Sequence, residues 1–182
     1  MASNDIWVFD GARGFSSQQE DVNRSDAFPI RMKGTYCLIA FLPTEARISV
    51  GALGAQVFPR GLYVYVGSAL RGIENRVRRH KSSTKNVRWH IDYFLEKADI
   101  LSTVAIPCEA KQVECEVVRA LLKCEGARAL IDGFGSSDCR CGSHLLYFGD
   151  RDTEWVLETI SMHLSMLACM YPRSVSKAAN PD

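Results

Sequence analysis

The 182-residue chain is 47% hydrophobic and 24% charged with a formal net charge of +1, which describes one ordinary globular domain with appendages and excludes fibrous or low-complexity classes. No apolar run approaches the ~18–20 residues of a membrane span, and MASNDIWVFDGARGF lacks the basic start and greasy core of a secretory signal. Asp5 and Asp10 argue against an organellar transit peptide. The seven cysteines are an odd number, expected as free thiols in a reducing compartment, cytoplasmic or nuclear, without structural disulfides.

Residues 1–32 read as a polar arm in which isolated aromatics flank SSQQEDVNRSD, partly ordered and tucked against the domain through Trp7 and Phe9. The domain, 33–150, opens with GTYCLIAFL, apolar on both faces and therefore a candidate central strand. ARISV and AQVF, joined through Gly51–Gly54, read as a β-hairpin, and Pro59-Arg60-Gly61 turns the chain into the strand LYVYV. A Gly67-Ser68 break leads to a basic helix. VRWHIDYFLEKA predicts a helix over 87–98, ILSTVAIP a strand, and AKQVECEVVRALLKC a helix over 111–122. IDGFGSSDCRCGSHLLYFGD reads as a loop ending in a strand over 144–148. The final helix, within 151–171, carries Leu157, Ile160, Leu164 and Leu167 on one face, expected to pack on its own domain rather than on a partner. Residues 172–182 read as a disordered tail. The expected fold is α/β of the α+β type: a small, mainly antiparallel central sheet flanked by helices, with an extra β-hairpin and a C-terminal helix.

The chemistry concentrates between Leu62 and His80. Alternation puts Leu62, Val64 and Val66 on one strand face and Tyr63 and Tyr65 on the other. In the helix that follows, Arg76, Arg79 and His80 share a face beside Ile73 and Val77. From Arg71 to Arg88 seven Lys/Arg face one acid, Glu74, so the segment is +6 while the whole chain is +1. Such clustering attracts a polyanion, and phenol, guanidinium and imidazole together make a plausible phosphate cradle. On the 111–122 helix, Glu114 falls among Val117, Val118 and Leu121, whereas Glu116 points to solvent. A carboxylate on an apolar stripe is costly unless paired or coordinated; the bland alternative is a stripe-edge carboxylate satisfied by an arginine.

Gly34-Thr35-Tyr36, Tyr65-Val66-Gly67 and ENRVRRH together resemble the GIY-YIG nuclease superfamily over roughly Gly34–Gly149. WHIDY and the loop GFGSSDCRC resemble its uncharacterised-domain branch, found alone or fused to endonuclease III-type glycosylases. The resemblance implies a GIY-YIG-like fold and a metal-dependent DNA endonuclease acting on damaged (abasic) or branched DNA in repair. One divalent cation, Mg²⁺ or Mn²⁺, would sit on Glu114, which with Val117, Val118 and Arg119 reproduces the family pattern. Arg76 would brace the transition-state charge, and Tyr36 or Tyr65 would orient or deprotonate water with help from His80. Ser68, Arg71, Arg78, Arg79, Lys81, Arg88 and His90 are candidate DNA contacts, while Tyr63 packs at the edge and Trp89 and Asp92 are structural. The expected partner is DNA, not a membrane, with a DNA-repair protein as a further candidate. The sequence departs from the family in its GTY tripeptide, in the hairpin over 46–58 (a candidate groove wall), and in having only Ser136, Ser137 or Asp138 where other branches carry an asparagine.

Cys139-x-Cys141-x-x-His144 supplies three metal ligands where structural zinc needs four. Asp138 or Cys124 would have to be the fourth, and zinc is not expected. Instead Gly133 and Gly135 set a tight loop from which Asp138 and Arg140 contact substrate or brace Arg76. Cys37, Cys115 and Cys169 read as core filler and His163 as exposed. The rival function is a non-catalytic, zinc-stabilised nucleic-acid-binding module, which would need no carboxylate on a core-facing stripe.

Overall fold

The computed structural model describes residues 6–10, 15–17, 33–108 and 112–170. The expected tail over 172–182 lies outside the described residues, as does most of the expected arm. The described strands run β1 (Trp7–Asp10), β2 (Phe15–Ser17), β3 (Gly34–Leu42), β4 (Ala46–Ser49), β5 (Ala55–Phe58), β6 (Gly61–Ala69), β7 (Asp99–Pro107), β8 (Arg128–Ala129) and β9 (Leu145–Gly149). The helices are α1 (Ile73–Lys81), α2 (His90–Phe94), α3 (Gln112–Leu121) and α4 (Thr153–Met170). The fold is mixed α and β, as the sequence pattern predicts.

The main sheet has the order β2-β1-β7-β3-β6-β9-β8, and its pairings are antiparallel. β3, apolar on both faces, is central because both faces are covered. Tyr36, Leu38, Ala40 and Leu42 pack with Tyr63 against α1, α2 and the β4–β5 hairpin. Cys37 and Ile39 pack with Leu62, Val64 and Val66 against α3 and α4. The alternation expected for β6 therefore separates two cores. Each fully buried aliphatic or aromatic side chain contributes about 1.5–3 kcal/mol, so the two layers hold the sheet from both sides. The α4 stripe is used internally: Val156, Ile160, Leu164 and Ala168 are buried, with Leu157 and Leu167 half-buried beside them. Among the described residues no helix is long and apolar enough to cross a membrane.

Three expectations are corrected. Part of the N-terminal arm joins the sheet, with β1 pairing β7 along an otherwise open edge. Ile6 and Val8 pack on the α3/α4 core, whereas the side chains of Trp7 and Phe9 lie outside the described residues. The strand does not break at Gly67-Ser68 but continues to Ala69, and the chain turns at Gly72, whose φ of 115° suits only glycine. The helix expected over 87–98 is only His90–Phe94, because Asp92 accepts the Arg88 and Trp89 N–H groups and holds the chain before it extended. β8, two residues long, was too short to carry a period.

Candidate active site and the adjoining thiol cluster

The starts of β3 and α1 and the end of β6 meet at one end of the sheet. There Tyr36 lies opposite Gly67 in the β3–β6 register. A Cβ on Gly67 would stand 2.6 Å from the Tyr36 hydroxyl oxygen and 3.0 Å from Tyr65 Cε1. The glycine is thus the floor on which the two phenols rest, rather than a strand breaker. Gly67→Ala is expected to push Tyr36 off its seat and cost about 1–3 kcal/mol, as overpacking typically does. Urea unfolding checks this, and an unchanged midpoint would contradict it.

Tyr36 is 1% exposed and its hydroxyl lies 2.8 Å from His80 Nε2. His80, on the buried face of α1 with Ile73 and Val77, presents Nδ1 to Asp92 Oδ1 at 3.8 Å. That distance is too long for a hydrogen bond, but the carboxylate favours the proton on Nδ1 and leaves Nε2 to accept the phenol's hydrogen. Burial lowers the His80 pKa despite Asp92, so the ring is neutral near pH 7. Burial also raises Tyr36 well above the ordinary phenol value, Tyr65 and Glu114 adding to it and Arg76 opposing. Tyr65 is raised by burial and then by Glu114, again opposed by Arg76. Arg76 and Glu114 both act on both phenols, so the five expected catalytic groups form one electrostatic neighbourhood.

The expected DNA contacts divide. Arg71, Lys81 and Arg88 are exposed, Ser68 is half-buried near the end of β6, and exposed Arg78 pairs with Glu74. Arg79 differs: its guanidinium grips both Asp92 oxygens at 2.8 and 2.9 Å and the Asn86 carbonyl at 2.6 Å. Its Cζ also lies 4.0 Å from the Trp89 ring centroid. Arg79 is thereby a structural clamp, with three hydrogen bonds committed to Asp92 and Asn86, while Lys85 donates to the His80 carbonyl at the end of α1. Arg76 stacks on the same Trp89 ring at 4.1 Å. His90 Nδ1 accepts the Gly135 N–H at 3.1 Å, tying α2 to the 133–144 loop. Trp89 and Asp92 hold the positions expected of structural residues, and Tyr63 is core, its hydroxyl donating to the Pro59 carbonyl at 2.6 Å.

Glu114 lies at the edge of the α3 stripe formed by Val113, Val117, Val118 and Leu121. Its partner is a histidine, not an arginine: Oε1 is 2.8 Å from His144 Nδ1. Glu116 is half-buried rather than in solvent. His144, 1% exposed, places Nε2 3.3 Å from Cys139 Sγ. Gly133 and Gly135, both at positive φ, shape the loop that brings Cys139 and Cys141 here, and Asp138 is near enough to raise Tyr65.

The member of this cluster that the sequence did not suggest is Cys115. One ligand atom from each of Cys115, Cys139, Cys141 and His144 lies within 4.8 Å of the others. Cys115 is therefore not core filler, and Cys169 is exposed. Cys124, one of the two candidates for a fourth ligand, instead faces His163 at 3.8 Å. His163 is half-buried, with Nδ1 donating to the Thr159 carbonyl at 2.8 Å. In the cluster, burial would raise Cys139, but the Cys141 N–H and thiol and the nearby His144 outweigh it and lower its pKa. Cys141 is pushed up to about 12 by burial and its two thiol neighbours.

A family model described as "Domain of unknown function DUF123" matches residues 35–166. The chain belongs to this family. The DUF123 span runs from β3 into α4 and contains Tyr36, Tyr65, Arg76, His80 and Glu114 together with all four thiol-cluster donors. No curated protein and no solved structure matches the chain.

Proposed function

We propose that this chain is a GIY-YIG-type, metal-dependent DNA endonuclease that hydrolyses a phosphodiester at damaged (abasic) or branched DNA, working in DNA repair in the cytoplasm or nucleus. The observation that carries this reading is the shared neighbourhood of two phenols, a neutral imidazole, Arg76 and Glu114, in which Arg76 and Glu114 act on both phenols although the five groups come from four elements. A docking surface has no need of such a set. The resemblance of GTY, YVG and ENRVRRH to nuclease motifs supports it, as do exposed Arg71, Lys81 and Arg88 beside the site.

Glu114 fits a hard divalent cation: it is a half-buried carboxylate that acts on both phenols of the cradle and has Oε1 beside His144, and oxygen donors of this kind suit Mg²⁺ or Mn²⁺. When bound, Mg²⁺ or Mn²⁺ would act as a Lewis acid toward the departing 3′ oxygen. The chain's own residues supply the rest. Tyr36 takes a proton from the attacking water as its own hydroxyl proton passes to His80 Nε2, so the phenol is a relay and never ionises alone. That path suits a phenol whose pKa is raised rather than lowered. The water oxygen bonds to phosphorus and the P–O3′ bond breaks. Arg76, braced on Trp89, meets the charge that grows on the phosphoryl oxygens.

The neutral His80 ring gives the pH dependence. Its pKa is below the ordinary ~6.5, so the acceptor is lost only when pH falls through that lowered value. Cleavage is expected to hold steady from neutral pH through about 6.5 and to decline only in more acid solution, as pH falls through the lowered His80 value. A pH–rate profile with its acid limb above 6.5 would contradict the Tyr36–His80 relay.

The direct test of the catalytic assignment is Arg76→Ala. It is expected to slow cleavage by about 10²–10³-fold, as loss of one transition-state donor does, while DNA affinity changes little. Equal loss of binding and cleavage would make Arg76 a docking residue. The pairing of Glu114 with His144 favours one alternative, a non-catalytic, zinc-stabilised nucleic-acid-binding module. That module predicts tight DNA binding with no strand break at any pH.

A further inference from the structure

Three separated segments deliver soft donors to one point. Cys115 comes from the first turns of α3, Cys139 and Cys141 from the glycine-turned loop, and His144 from the residue before β9. His144 is fixed from several sides: its N–H donates to the Phe134 carbonyl at 2.7 Å, its carbonyl accepts the Val66 N–H at 2.9 Å, and its ring is 1% exposed. In a tetrahedral centre with metal–sulfur and metal–nitrogen bonds near ~2.3 and ~2.0 Å, neighbouring ligand atoms lie roughly 3.4–3.8 Å apart. The four donors are already within 4.8 Å of one another, and the Cys139–His144 pair stands at 3.3 Å. The Cys141 N–H also points to Cys139 Sγ at 3.4 Å, a donor suited to a thiolate.

We propose that Cys115, Cys139, Cys141 and His144 form a closed, tetrahedral structural zinc site, with Glu114 as the outer partner that holds His144. Three thiolates and one imidazole select zinc over hard cations. Four protein ligands leave no open position for water, so this centre does no chemistry itself. A histidine that ligates through Nε2 carries its proton on Nδ1, and there it meets Glu114 Oε1 at 2.8 Å. Carboxylate–histidine–metal chains of this kind fix the ring and raise its basicity. In return, zinc fixes the orientation of Glu114, so the site that builds the fold and the carboxylate of the cradle are one mechanical unit. Only this last consequence rests on the proposed endonuclease activity.

The test is metal content of the purified full-length chain, followed by cobalt substitution. One zinc per chain is expected, and cobalt should give tetrahedral d–d bands with thiolate-to-metal charge transfer. Cys115→Ser should weaken the charge-transfer band and loosen the metal, which separates the four-ligand site from one built on the loop alone. Should Cys139→Ser or Cys141→Ser fail to fold, Glu114→Gln provides the second reading: stoichiometric zinc, released to a competing chelator at about 10–100-fold lower concentration. Zinc-free protein showing no cobalt–thiolate bands, or a disulfide within the cluster, would overturn the proposal, as would cobalt spectra unchanged in Cys115→Ser. All these measurements are made without DNA, so a failure to cleave leaves them unaffected.

Discussion

Glu114→Ala is expected to reduce metal-dependent strand cleavage by about 10³-fold or more, which at ~1.4 kcal/mol per decade is several kcal/mol of transition-state stabilisation. Two losses combine in this variant. The cation loses its protein ligand, and His144, almost fully buried, loses the partner at 2.8 Å that holds its ring. Glu114→Gln separates them, because the amide keeps an oxygen beside His144 Nδ1 but carries no charge for a hard cation. Single-turnover cleavage at saturating Mg²⁺, measured with DNA affinity, should show both variants binding DNA and neither cutting at a useful rate. Cleavage by Glu114→Gln within tenfold of wild type would remove Glu114 from the role of cation ligand.

The largest effect on stability is expected from Asp92→Ala, about 3–5 kcal/mol, the range for breaking a buried ion pair by deleting one partner. The Asp92 side chain is fully buried. It accepts two hydrogen bonds from Arg79 and one each from the backbones of Arg88 and Trp89. Deletion strands a guanidinium and two N–H groups at once and frees Trp89, on which Arg76 is braced. Although burial alone would raise it, these donors and the His80 ring hold the Asp92 pKa well below the usual carboxylate range. A lowered carboxylate pKa stabilises the fold above the unfolded value of ~3.9, and that stability is lost as pH falls further toward the folded value. Urea unfolding should therefore show wild type weakening steeply in acid below about pH 4 and Asp92→Ala much less so. A loss under about 1 kcal/mol at pH 7 would show that solvent reaches this clamp.

Much of the molecule is legible in the sequence because the relevant signals are local and periodic. Leu62, Val64 and Val66 alternate with Tyr63 and Tyr65, and the strand they form divides two cores along that alternation. The apolar run from Gly34 to Leu42 names the central strand. Glu114 stands out as a carboxylate on a buried stripe. The features that escape depend on distant contacts. β1 is four residues long, and the open edge of β7, far along the chain, is what stabilises it. Gly67 reads as a breaker because the phenol it accommodates belongs to another strand. Arg79 reads as a DNA contact because Asp92, thirteen residues on, is not visible as its partner. Cys115 is hidden for the same reason: it adjoins Glu114 on α3 and shares no metal-binding spacing with Cys139. Its one local signal was a cysteine next to a carboxylate on a helix whose buried positions were otherwise taken by Val113, Val117 and Val118.

The measurement that bears most directly on the proposed activity uses labelled plain duplex, abasic-site duplex, flap, fork and four-way junction. Each is incubated with the full chain and Mg²⁺ or Mn²⁺, with and without chelator. Metal-dependent nicking of the abasic or a branched substrate, stopped by chelator, is the result expected of the Tyr36, His80, Arg76 and Glu114 constellation. Saturating binding to these DNAs with intact strands throughout would contradict it and leave the zinc-stabilised binding module.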